Sequence, residues 1–144
     1  MRHGEAAEGR FDAERPLTPR GIAQAKATAL GLQRLHVKVP VIHHSPYVRA
    51  QQTAAAVAAV FGSRLVVDDA FTPMSPPERA AEALIAMREG TFVVGHMPIL
   101  PAIIDILCGA RVNLPTAAVA QIVVLGGSGV MTGLWTSEVL ERVR

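Results

Sequence analysis

The chain has 144 residues, half of them hydrophobic, and a formal net charge of +2 at neutral pH. That length fits a single domain, residues 1–144, around one substantial core, and the composition excludes disorder. The sequence pI is 9.2, but the basic residues are scattered rather than run together, so no nucleic-acid partner is expected.

The chain opens on Met1 and the triplet Arg2-His3-Gly4, and no secretory signal peptide is expected. Residues 17–35 predict a helix with Thr18 as N-cap and an apolar face of Ile22, Ala25, Ala29, Leu32 and Leu35. The run VPVIHH, 39–44, predicts a buried strand stopped by Ser45-Pro46, and 46–62 a helix with Pro46 at its start and Gly62 at its end. A strand over 64–69 and a proline-containing loop over 72–77 lead into a helix from Pro77 to Arg88. TFVVGH predicts a second buried strand, followed by a helix from Pro98 to Cys108. The stretch 92–109 is apolar but broken by His96, Pro98, Pro101 and Asp105, so it is no membrane span. Cys108, the one cysteine, reads as buried, and a reducing, cytoplasmic compartment is expected. Strands over 118–126 and 130–137 flank Gly126-Gly127-Ser128-Gly129 as a tight hairpin. The alternation predicts an α/β fold with a mostly parallel sheet and a C-terminal hairpin.

In an open parallel sheet, ligands sit beyond the carboxyl ends of the strands. His44-Ser45 and Gly95-His96 each end a strand just before a helix, and Arg49 falls in the first turn of one of those helices. Arg49 and His96 are therefore expected to face one pocket whose helix N-termini favour an anion. Spacing alone does not bring Arg2 and His3 there, although Gly4 suits a sharp turn out of a strand. His43 and His44 are adjacent, but consecutive strand residues face opposite sides, so a metal pair is not expected. His36 reads as a solvated helix end.

Four stretches, RHGEA at 2–6, RPLTPRG at 15–21, SPYVRAQQTA at 45–54 and VVGHMP at 93–98, resemble the motifs of the histidine phosphatase superfamily, in its order. Length and the RPLT and FTP stretches resemble the small SixA-type phosphohistidine phosphatases within it. The resemblance implies a phosphoglycerate-mutase-like, three-layer domain without a cap, and it implies site roles. His3 is the implied nucleophile, Arg2 and Arg49 bind the phosphoryl group, His96 completes the pocket, and no cofactor or metal is needed. Arg15 is implied to join through the RPLT loop, though a surface salt bridge with Asp12 or Glu14 accounts for it as well. Two departures stand out. Relatives carry a hydrophobic strand before the RHG, of which only Met1 is present, so a central strand is expected to be missing, truncated, repaired or borrowed. No general acid is evident: Glu5 is a candidate, while Glu5, Asp68 and Asp69 all read equally as solvated charges. An alkoxide resembles hydroxide, whose conjugate acid has a pKa near ~15.7, whereas imidazolium has one of roughly 6.5. The lack of an evident general acid therefore favours a phosphoramidate substrate over a sugar phosphate. The expected substrate is a phosphohistidine on a protein, such as a histidine phosphotransfer domain. The alternatives are a small phosphate ester or phosphate binding without turnover, and oligomeric state stays open.

Overall fold

Short β-branched runs separated by helices have no local partner and pair in parallel across right-handed crossovers. The computed structural model describes residues 1–144. In it β1 (Val41–His44), β2 (Arg64–Val67) and β3 (Thr91–Val94) form a parallel sheet in the order β2-β1-β3, with Val41 opposite both Arg64 and Thr91. β4 (Val119–Leu125) and β5 (Ser128–Trp135) form a separate antiparallel hairpin. Its two-residue turn needs positive φ at both centres, and Gly126 and Gly127 supply 58° and 85°.

Residues 1–3 lie between the two sheets. Arg2 bridges Gly95 in parallel, the Gly95 N–H donates to the Met1 carbonyl at 3.1 Å, and the His3 N–H donates to the Gly95 carbonyl at 3.0 Å. On the far side the Arg2 N–H donates to the Ala118 carbonyl, and the Ala117 N–H to the His3 carbonyl, both at 3.0 Å. Where a gap or a borrowed strand was one expectation, three residues hydrogen-bond both neighbours and tie the hairpin to the parallel sheet. The Arg2 and His3 N–H groups and the Met1 and His3 carbonyls are thereby paired, as buried backbone requires.

Helices cover both faces. α1 (Pro19–Arg34), α2 (Val48–Phe61) and the short α5 (Ser137–Glu141) close one core around Ala29, Leu32, Ile42, Val57 and Leu140. α3 (Pro77–Ala86) and α4 (Ile99–Cys108) close the other around Phe71, Ala80, Ile103, Leu107 and Leu114. This is a three-layer α/β arrangement. Thr18 caps α1, its Oγ1 accepting from the Gly21 N–H at 3.0 Å.

Several local expectations need correction. The buried face of α1 is Gly21, Gln24, Ala25, Thr28, Ala29, Gly31 and Leu32, and Ile22 and Leu35 are exposed. Small residues win the inward positions because α1 lies close to its neighbours: a Cβ on Gly31 would be driven into the Leu140 carbonyl. α3 ends at Ala86 rather than Arg88, because Met87 is already extended. Pro98 serves as the N-cap of α4 rather than its first residue. Cys108 is half-buried, not buried, because it ends α4 at the edge of the second core. Gly4 has no positive φ; its role is close approach, since a Cβ there would clash with the backbone of Gly21 in α1. α5, capped by Thr136, was not foreseen.

Candidate active site

The parallel strands set the position of the site. β1 ends at His44 and β3 at Val94, and residues 1–3 run beside β3, so His3, Arg49 and His96 meet at the carboxyl edge of the sheet. Arg49 is the second residue of α2, and its side chain is only 6% exposed. A cavity of about 420 Å³ opens above them, lined by Arg2, His3, Asp12, Arg15, Arg49 and Met97 among others, with Glu5 on its wall.

His3 is held in one tautomer. Its Nδ1–H donates to the Gly4 carbonyl at 2.6 Å, which leaves the Nε2 lone pair free to act as an acceptor. The Nε–H of Arg49 donates to that lone pair at 3.2 Å. Burial, with cations from Arg49, Arg2 and Arg15, outweighs the Gly4 hydrogen bond and pushes the His3 pKa down to about 4. The imidazole is neutral at pH 7, as an attacking nitrogen must be. The turn itself is braced by α2: the Gly4 N–H donates to Thr53 Oγ1 at 3.0 Å, and the Thr53 hydroxyl donates to the Arg49 carbonyl at 2.7 Å.

His96 lies beneath His3 rather than on the cavity wall, with ring centroids 5.1 Å apart. It is 1% exposed, yet neither ring nitrogen has a hydrogen-bond partner. Burial, followed by the neighbouring His3 and Arg49, lowers its pKa to about 3. Arg2 donates through Nη1 to the Leu114 carbonyl at 2.9 Å, while its buried Nε is also without a partner. Buried polar atoms are almost always paired, so unpaired ones grouped around a nucleophilic nitrogen mark a site that an oxyanion would complete.

Arg15 lines the cavity, and it also makes a salt bridge, with Asp12 at 3.0 Å rather than with Glu14. Its Nε donates to the Ala7 carbonyl at 2.8 Å. Glu5 lies on the cavity wall, but its carboxylate accepts from the Thr18 hydroxyl at 2.8 Å and faces Arg20 at 3.5 Å. Asp68 pairs with His43 at 3.0 Å and caps the turn Asp69–Phe71; neither Asp68 nor Asp69 lines the cavity. His43 and His44 face opposite sides, and His44 bonds the Ser45 carbonyl. His36 is exposed just beyond α1, with φ of 58°.

Two residues at the site escaped the sequence reading. Asp12 binds two of the cavity arginines: its carboxylate accepts from Arg49 Nη2 and Arg15 Nη1, each at 3.0 Å, and its carbonyl accepts from Arg49 Nη1. Burial pushes the Asp12 carboxyl up, but the hydrogen bonds from Arg49 and Arg15 outweigh that and hold it below the usual carboxylate range. Tyr47 packs its ring edge-on to His96 at 5.0 Å and beneath the Arg49 guanidinium at 5.0 Å, fixing both. Its sequence signal was its place between Pro46 and Arg49.

A family model for the histidine phosphatase superfamily (branch 1) matches residues 1–78. The phosphohistidine phosphatase SixA of Escherichia coli K12 is 31% identical over 94% of this chain and 89% of its own length. A protein provisionally named phosphoserine phosphatase 2, from Hydrogenobacter thermophilus, is 37% identical over 82 residues, which span 38% of its length. The structure of a protein histidine phosphatase SixA complexed with tungstate superposes with a TM-score of 0.89 at 26% identity, covering 95% of this chain and 94% of that one. The α-ribazole phosphatase of Shigella flexneri, at 18% identity and 95% coverage of both chains, shares the fold with a TM-score of 0.76.

Proposed function

The chain belongs to the histidine phosphatase superfamily, and from that premise we propose that it hydrolyses the phosphoryl group of a phosphohistidine carried on another protein, with His3 as nucleophile. The observation that carries this reading is the neutral His3 Nε2, held by its Nδ1 hydrogen bond among Arg2, Arg49 and the unpaired ring nitrogens of His96. In the first step Nε2 attacks phosphorus, the P–N bond of the substrate breaks, and its electron pair leaves on the substrate imidazole, which takes a proton from solvent. In the second step water attacks the phosphorylated His3, releases inorganic phosphate and returns the neutral imidazole. Arg2 and Arg49 carry the charge of the equatorial oxygens throughout, with Arg15 as a further contact from the lip.

Two features favour a phosphoramidate over an ester. Asp12, the carboxylate nearest the cations, is held anionic by them and has no proton to give an alkoxide. Glu5 is committed to Thr18 and Arg20. An imidazole leaves with little such help. The stretch between Arg49 and His96 is used up by α2, β2, α3 and β3, so the cavity stays open enough for a histidine presented on a protein surface, such as a phosphotransfer domain. No helix is long and apolar enough to cross a membrane, and a lone half-buried cysteine suits the cytoplasm as the place of action.

Phosphate release from a phosphohistidine-bearing phosphotransfer domain tests the reading, with sugar phosphates as the competing substrates. Turnover that vanishes in His3→Ala is the expected result. Turnover on the sugar phosphates alone would replace it with a small-ester phosphatase, and phosphate binding without turnover would reduce it to a binding role.

A further inference from the structure

In the free protein the groups assigned to the phosphoryl site are already engaged with one another. Arg49 Nη2 and Arg15 Nη1 donate to the two carboxylate oxygens of Asp12 at 3.0 Å each, and Arg49 Nη1 donates to the Asp12 carbonyl. The third face of the same guanidinium, Nε–H, points at the His3 lone pair at 3.2 Å. A phosphoryl group in line for attack needs that lone pair free and needs the guanidinium fork that Asp12 now fills. The two cannot be occupied at once.

Which partner gives way follows from burial. Arg49 is 6% exposed, stacked on Tyr47 and anchored in α2, whereas the Asp12 side chain is 54% exposed. Residues 8–14 are all exposed, while the base of this loop is fixed by the Ala7 N–H on the Pro16 carbonyl at 2.8 Å and the Thr18 N–H on the Glu5 carbonyl at 2.9 Å. Rotation of the Asp12 side chain at the tip releases Arg15 Nη1 and Arg49 Nη2 without disturbing the base, and leaves only Arg49 Nη1 on the Asp12 carbonyl.

We propose that Asp12 is an internal competitor for the phosphoryl site, a carboxylate that holds Arg49 and Arg15 in the free protein and must leave before any oxyanion binds. This rests on the reading of the cavity as the phosphoryl site. It has a quantitative signature. Displacing Asp12 is a cost of the free protein alone, so it weakens the apparent affinity of every anion by one common factor.

Asp12→Asn keeps the side-chain shape and removes the charge; Asp12→Ala also removes the acceptors. Titrating wild type and both variants with inorganic phosphate and with tungstate, and measuring KM and kcat on a phosphohistidine protein, gives the test. The expected result is tighter binding of both anions and a lower KM, all by the same factor of roughly ten, with Asp12→Ala at least as large as Asp12→Asn. Unchanged or weaker binding in the variants overturns the proposal, because Asp12 then only props the arginines. A gain for one anion and not the others overturns it too, because Asp12 would then touch that ligand directly. If wild type and variants alike bind neither anion, the phosphoryl-site reading itself falls and takes the proposal with it.

Discussion

At the floor of the cavity His3 and His96 are 8% and 1% exposed and are held by a backbone carbonyl and by ring packing, whereas at its lip residues 8–14 are exposed and Asp12 is held by its hydrogen bonds to Arg49 and Arg15. The floor keeps buried polar atoms unpaired: both ring nitrogens of His96 and Nε of Arg2. The lip does the opposite and pairs Arg49 and Arg15 with the Asp12 carboxylate and carbonyl. Preorganised donors in a dry site act strongly on developing charge, and exposed ion pairs act weakly. Substitutions at the floor are therefore expected to change the chemistry, and substitutions at the lip to change affinity.

The largest effect is expected for His3→Ala, on the order of 10⁴-fold or more in kcat, with no phosphoenzyme trapped by rapid quench. Retention of activity above that level would move the nucleophile elsewhere. Arg49→Lys comes next. Lysine keeps the charge but loses both the planar fork and the Nε contact to His3, so kcat/KM should fall about 10²- to 10³-fold with kcat carrying most of it. A loss confined to KM would place Arg49 with the lip.

The third expectation concerns acid. His3 titrates near 4 and His96 near 3 in the fold, against about 6.5 for an ordinary histidine. As pH falls from 6.5 toward 4 the unfolded chain binds protons that the floor refuses, so stability is lost over that window. Two such groups together give a slope of up to about 3 kcal/mol per pH unit. Urea midpoints between pH 7 and pH 5 should show the decline, and His96→Gln should make it shallower. A flat profile would mean that the floor accepts protons as readily as the lip.

The floor was legible because its residues sit in short motifs at element ends: Arg49 follows a strand stop, His96 follows another, and His3 is flanked by Arg2 and Gly4. The hairpin was legible for the same reason, since Gly126-Gly127 fixes its turn locally. What was not legible depends on contacts between distant segments. Residues 1–3 form a two-sided bridge only because Gly95 and Ala117-Ala118 are brought to them by the rest of the fold. The inward face of α1 was misjudged because hydrophobicity favoured Ile22, while the closeness of α5 demanded Gly31 and its small neighbours. Asp12 was visible as a neighbour of Arg15 but not as a partner of Arg49, thirty-seven positions away in the chain. Tyr47 lies inside the SPYVRAQQTA motif but carries no charge, and its role is stacking that only the packed site reveals.

The smallest effect is expected for Arg15→Ala, and it draws the boundary between the two regions. The Arg15 side chain is 28% exposed, and two of its groups are already taken, Nε by the Ala7 carbonyl and Nη1 by Asp12. Any contact it makes with a bound anion therefore comes at the expense of the Asp12 pair, and the two terms partly cancel. The expected change is less than about tenfold in KM, with kcat unaltered, since a partly exposed ion pair is screened by solvent. Steady-state kinetics on the phosphohistidine protein reads it directly. A fall in kcat as deep as that of Arg49→Lys would show that Arg15 acts on the transition state, and the floor would then extend into the loop that carries it.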